Sequence, residues 1–206
     1  MNKSTIVSVA LIALAAGVFL SWYTHTKEPI RLEDGIWFGE QARGLPEFEL
    51  ADHRNAPLNR NSLSGHWSLM FFGYVHCPDI CPITLQTMAQ MYDSIDDPDV
   101  RDALQIYFVS VDPDRDTPEL LAGYVGYFNE DFVGATAPLD QLKPLTRALG
   151  IAHQLHKKSE TDTDYLVDHS GAVVLINPEA EYAGLFSAPH DAVVMARDVT
   201  RIVEHN

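Results

Sequence analysis

The sequence predicts an α/β fold: a sheet with parallel strands at its centre and β-hairpins added at its margins, preceded by one transmembrane helix. Three observations predict it. Residues 5–23 carry no charged side chain. Two short apolar runs, 67–74 and 106–111, read as buried strands, and each leads into a segment of helical character. Turn-forming residues then separate short apolar stretches on either side of this central unit.

The elements follow in chain order. At 1.5 Å per residue the uncharged run 5–23 spans about 29 Å, one hydrocarbon core. Lys3 precedes it, and Trp22 and Tyr23 close it at interface depth. Lys3 and the free N-terminus against Lys27 and Arg31 lean toward an N-terminus inside and a domain outside. A cleaved signal peptide is the alternative, with a small-residue site at Ala13-Leu14-Ala15, but the apolar run continues to Tyr23. Residues 1–24 are therefore expected to be a membrane anchor, 25–44 a linker of little periodicity, and 45–206 the folded domain.

Within the domain, Phe48-Glu49-Leu50 and Leu58 flank a turn-rich DHRNAP stretch and predict a hairpin. Strand 67–74 leads to a helix over 82–95, with apolar side chains at Ile83, Leu85, Met88, Met91, Tyr92 and Ile95. Strand 106–111 leads to Thr117-Pro118-Glu119, a helix start with its N-cap, first-position proline and first-turn acid. That helix is expected to reach Asn129. A short strand at 132–135 and a helix at 138–149, stopped by Gly150, come next. Residues 151–163 read as a long polar loop. Segments 165–168 and 172–176 flank Ser170-Gly171 as a second hairpin, and a strand near 182–186 and a helix near 190–204 end the chain. A central βαβ unit between outer hairpins describes a thioredoxin-like sandwich.

The apolar content of 46 % suffices for a core without disulfide staples. A formal net charge of -15 argues against nucleic acid as a partner, because a phosphate backbone would be repelled. The acidity otherwise reads as solubility, or as steering toward a basic partner.

The chain has two cysteines, Cys77 and Cys81, in the run GYVHCPDICP. Pro82 fits the first turn of the helix that follows, so Cys81 is expected at the helix start and Cys77 on the loop before it. Unpaired N–H groups at a helix start favour thiolate over thiol. Two such sulfurs can form a reversible redox-active disulfide or ligate a soft metal. An inert disulfide would close only a tiny loop and stabilise little. Asp168-His169-Ser170 offers an imidazole at a strand end. Two sulfurs and one nitrogen suit Cu(I), or Cu(II) with further weak ligands, and fall short of a four-ligand structural zinc site. Alone, His169 reads more readily as a structural residue than as a ligand.

GYVHCPDICP, SVDPDRDTPELL and YLVDHS, in this order, resemble the Sco/SenC family, copper-delivery proteins needed to build the CuA centre of cytochrome c oxidase. The likeness runs over roughly residues 45–203. It implies Cys77, Cys81 and His169 as copper ligands, a thioredoxin fold, a single anchor in the inner (cytoplasmic) membrane and a periplasmic domain. Val75 and Ile80 are mild departures from the family pattern. The implied function is that of a copper metallochaperone, not an enzyme in the usual sense. It would take copper from an upstream donor and pass it to the CuA site of oxidase subunit II. The alternative is a thiol–disulfide oxidoreductase that reduces the partner's CuA cysteines, and a peroxidase is a third reading.

Other residues have two readings each. Asp112, Asp114, Arg115 and Asp116 follow a buried strand as a turn and helix entry, or as a loop that orients the metal loop or docks a partner. Asp168 supports His169 or ends a strand. Asp79 is a weak ligand or a turn former. His76 tunes Cys77, Tyr74 and Phe72 are core or site wall, and His153 and His156 are a further metal pair or solvated side chains.

Overall fold

The computed structural model describes residues 8, 9, 11–19, 30–159 and 161–205. The chain divides into two units, Met1–Arg31 and Leu32–Asn206. In the first, residues 8, 9 and 11–19 are helical. Among the described residues no helix is long and apolar enough to cross a membrane. The rest of the expected span 5–23, and the connector through residue 29, lie outside the described residues.

The second unit is built on β5 (Trp67–Gly73) and β6 (Leu104–Ser110), which run parallel. Every residue of β5 is buried, as expected of a strand covered on both faces. β7 (Val133–Thr136) extends the parallel set, and β10 (Val173–Ile176) pairs antiparallel on the other side of β5. The full order is β1 (Gly35–Trp37), β11 (Glu181–Phe186), β10, β5, β6, β7, β3 (Glu49–Asp52) and β4 (Pro57–Asn59), with β2 (Arg43–Gly44) also on β11. The β3–β4 hairpin is the one anticipated around DHRNAP.

The short α1 spans Arg60–Leu63. α2 (Ile80–Asp93) follows β5 and packs against both α4 (Pro118–Phe128) and α6 (Ala192–His205). α4 starts as its sequence dictates: the Thr117 hydroxyl accepts the Leu120 N–H at 3.3 Å, with Pro118 in the first turn. α3 (Pro98–Asp102) and α5 (Leu139–Ala148) complete the set, and Gly150 takes the positive φ of 70° that ends α5.

Three expectations are corrected. The expected linker 25–44 belongs in its second part to the domain, since β1 and β2 both pair with β11. The fully buried carboxylate of Asp198, on α6, accepts the N–H groups of Glu33, Asp34 and Gly35 at 2.9–3.0 Å and fixes the start of this strap. The expected loop 151–163 contains β8 (His153–Leu155). The expected hairpin across Ser170-Gly171 does not form: β9 (Val167–His169) pairs with β8 in a separate two-stranded ribbon, while β10 pairs with β5 and β11. Turning out of the main sheet at Ser170 is what carries His169 to the end of β5.

Candidate metal centre

The loop between β5 and α2 carries both cysteines. Asp79 stands at the N-cap position of α2, so Cys81 and Pro82 fall in the first turn, where the missing proline N–H costs no hydrogen bond. Cys81 is buried and Cys77 half-buried, and the two are not joined in a disulfide. Gly73 at the end of β5 makes room for the inner sulfur. A Cβ there would lie 2.5 Å from Cys81 Sγ and 2.9 Å from the Phe108 ring.

His169 ends β9 and reaches the same place from the opposite side. Its Nδ1 lies 3.1 Å from the Ser170 carbonyl oxygen. A carbonyl only accepts, so Nδ1 carries the proton and Nε2 keeps its lone pair, 3.2 Å from Cys81 Sγ. The rings of Phe71 and Tyr74 stand edge-on to the imidazole, with centroids 5.9 Å away. The site wall is therefore Tyr74 and Phe71 rather than Phe72. The two sulfurs and one imidazole nitrogen lie within 4.8 Å of one another.

The two thiols share one proton unequally. The Cys81 thiol donating to Cys77 holds the Cys77 pKa well below the ordinary range. The backbone N–H groups of Asp79 and Cys81 add to this against the cost of burial. The same hydrogen bond, with burial, pushes Cys81 up. Cys77 is thus a thiolate at neutral pH and Cys81 a thiol. Alkylation by iodoacetamide is expected to modify Cys77 and spare Cys81, at a rate nearly flat between about pH 6 and 8. Peptide mass mapping checks this. A rate climbing about tenfold per pH unit over that interval would mean an ordinary thiol.

The loop after β6 braces both halves of the site. The buried Asp116 carboxylate accepts the Val75 N–H at 3.0 Å and the Ser110 hydroxyl at 2.6 Å, so it holds the cysteine loop from behind. Burial raises its pKa, and the Ser110 and Val75 bonds oppose that rise. The buried Asp112 accepts the Tyr165 hydroxyl at 2.5 Å and Arg115 Nε at 2.5 Å. The Arg115 guanidinium lies 3.6 Å over the Tyr165 ring and reaches the Thr163 carbonyl at 3.3 Å. Asp112 and Arg115 thereby fasten the segment that leads into β9 and His169. Asp114 pairs with Lys157 at the surface of the same junction.

Other candidates are placed elsewhere. Asp168 faces away from the metal cluster and binds His156 Nε2 at 2.6 Å, because successive residues of β9 alternate faces. Asp79 is exposed and makes no cap hydrogen bond. His76 leans toward Asp116, with 3.7 Å between Nδ1 and Oδ1. His153 and His156 lie on opposite faces of their strand direction, so they form no pair. Ser110, Tyr165 and Gly73 carry no direct sign of these roles in the sequence. A serine and an aspartate alternating at the end of a buried strand is the one signal that could have suggested Ser110.

A dithiol at a helix start, facing an imidazole held by one tautomer, on parallel strands flanked by antiparallel ones, defines a thioredoxin-fold protein with a soft-metal or redox centre. The sequence profile of the SCO1/SenC family matches residues 39–204, and the chain belongs to that family. A protein of Stutzerimonas stutzeri proposed to bind copper is 35 % identical over 196 residues, covering 95 % of each chain. The human mitochondrial SCO1 homolog is 34 % identical over 183 residues, 87 % of this chain and 60 % of that one. The chain thus spans nearly all of the bacterial relative but under two thirds of the human one. Arabidopsis thaliana ScoI with copper bound superposes with a TM-score of 0.67 at 29 % identity, over 77 % of this chain and 98 % of that one. Yeast Sco1 with copper bound gives 0.69 at 28 %, over 79 % and 88 %.

Proposed function

We propose that the protein binds one copper ion as cargo on Cys77 Sγ, Cys81 Sγ and His169 Nε2, and delivers it to the CuA site on subunit II of cytochrome c oxidase. The observation that carries this reading is the convergence of these three donor atoms within 4.8 Å, from two separate elements. Two sulfurs and an imidazole favour a soft cuprous ion over harder cations. Cys77 supplies an ionised donor at neutral pH, Cys81 gives up its proton on binding, and the Ser170 carbonyl presents His169 as a neutral ligand. The copper-bound Arabidopsis and yeast relatives support the choice of metal. In this reading residues 5–23 anchor the chain in the cytoplasmic membrane with the domain on its periplasmic side, and an upstream donor loads it.

One observation favours a second reading. A half-buried thiolate beside a buried thiol is the asymmetry of a dithiol reductase. Cys77 would attack a partner disulfide and release one partner thiolate. Cys81 would then lose its proton to solvent, close the Cys77–Cys81 disulfide and release the second.

Copper stoichiometry on anaerobically reduced residues 30–206 separates the two. One copper per chain is expected, and none in a variant altered at Cys77, Cys81 and His169 together. No bound copper, with a readily reversible disulfide, would leave the reductase.

A further inference from the structure

Two sulfurs and one nitrogen satisfy a cuprous ion, whereas a cupric ion takes a fourth donor in a tetragonal arrangement. Of the neighbouring carboxylates and His76, all but the exposed Asp79 are engaged elsewhere. Asp79 is exposed at the start of α2, Asp168 is turned away onto His156, and His76 leans toward Asp116. Asp112 is held by Tyr165 and Arg115, and Asp116 by Val75 and Ser110.

His153 is different. In the β8–β9 ribbon it is the direct cross-strand partner of His169. The ladder hydrogen bonds Ser170 N–H to Ala152 C=O and His156 N–H to Leu166 C=O fall on the alternate pairs. His153 and His169 are therefore a non-hydrogen-bonded pair, the kind with side chains closest together on one face, their Cα atoms about 4.5 Å apart. His153 is half-buried, and its Nδ1 is buried with no hydrogen-bond partner among the described residues. Its nitrogens stand outside the cluster of three, so ligation turns the ring toward His169 about its own side-chain torsions.

We propose that His153 is the fourth donor to a cupric ion at the Cys77, Cys81 and His169 site. The inference rests on the copper-binding reading and adds to it a residue specific to one oxidation state. Cuprous binding uses three donors, and cupric binding recruits a second imidazole from the facing strand.

The test uses the full chain in detergent, reduced and then loaded with one equivalent of cupric ion. Electron paramagnetic resonance of the wild type is expected to resolve coupling to two nitrogens, and that of both His153→Leu and His153→Gln to one. Cuprous stoichiometry is expected to be unchanged in both variants, which also reports that the site and fold are intact. Wild-type and variant spectra with the same number of coupled nitrogens, beside a normal thiolate-to-copper absorption band, overturn the assignment of His153 alone. A wild type with neither the band nor any coupled nitrogen overturns the copper site as well.

Discussion

His169→Ala is expected to weaken copper binding by at least about a hundredfold, about 2.7 kcal/mol, while the Cys77–Cys81 dithiol still forms a reversible disulfide. The imidazole is the one donor that comes from outside the cysteine loop, and its Nε2 is presented by the Ser170 carbonyl bond on Nδ1. Its loss leaves two sulfurs that remain held by α2 and by Asp116. Competition against a cuprous chelator measures the affinity, and titration with a thiol–disulfide redox buffer measures the disulfide. Oxidase assembly that survives His169→Ala yet fails in Cys77→Ser would put copper transfer in difficulty and favour reduction of a partner.

Asp116→Ala is expected to destabilise the domain by about 2–4 kcal/mol, because it strands the half-buried Val75 N–H and the buried Ser110 hydroxyl. For a chain of this size that lowers the melting temperature by roughly 5–15 °C. Asp116→Asn keeps an acceptor and is expected to lose less. The sign of its pH dependence follows from the raised pKa of Asp116. The protonated form is favoured in the folded state, so its contribution is fully present below the unfolded carboxyl pKa and is lost as pH rises through the folded value. Melting curves of wild type and Asp116→Asn across the acid range check this. A wild type that loses relatively more stability than Asp116→Asn on acidification would contradict it. Because Asp116 grips the cysteine loop, the alanine variant is also expected to broaden the selectivity of alkylation toward Cys81.

The parts of the fold legible in the sequence were those whose signals are local. The buried β5 and β6, the Thr117-Pro118 start of α4, the Gly150 stop of α5 and the Pro82 placement of Cys81 all depend on neighbours within a few residues. The strap and the ribbon did not read, because their partners are distant. β1 pairs with residues of β11 some 150 positions away, and nothing in Gly35-Ile36-Trp37 announces that. β8 is three residues long and half-exposed, and among the described residues it pairs with β9 alone. The site followed the same division. Spacing located the two cysteines, and the family resemblance joined His169 to them. Asp116, Asp112, Arg115 and Tyr165 form one brace only in three dimensions, where buried hydrogen bonds replace sequence proximity.

The two halves of the site are anchored to parts of the fold with different resistance to opening. The cysteines root in β5 and α2, at the centre of the nine-stranded sheet and among its packed helices. His169 roots in a two-stranded ribbon, an arrangement of marginal stability when isolated, tied down by the Asp112–Arg115–Tyr165 brace. Local opening of a protein begins at its least stable cooperative unit. The two donor sets would therefore differ in hold: His169, on the ribbon, would part from a shared ion more readily than the two cysteines rooted in the main sheet and α2.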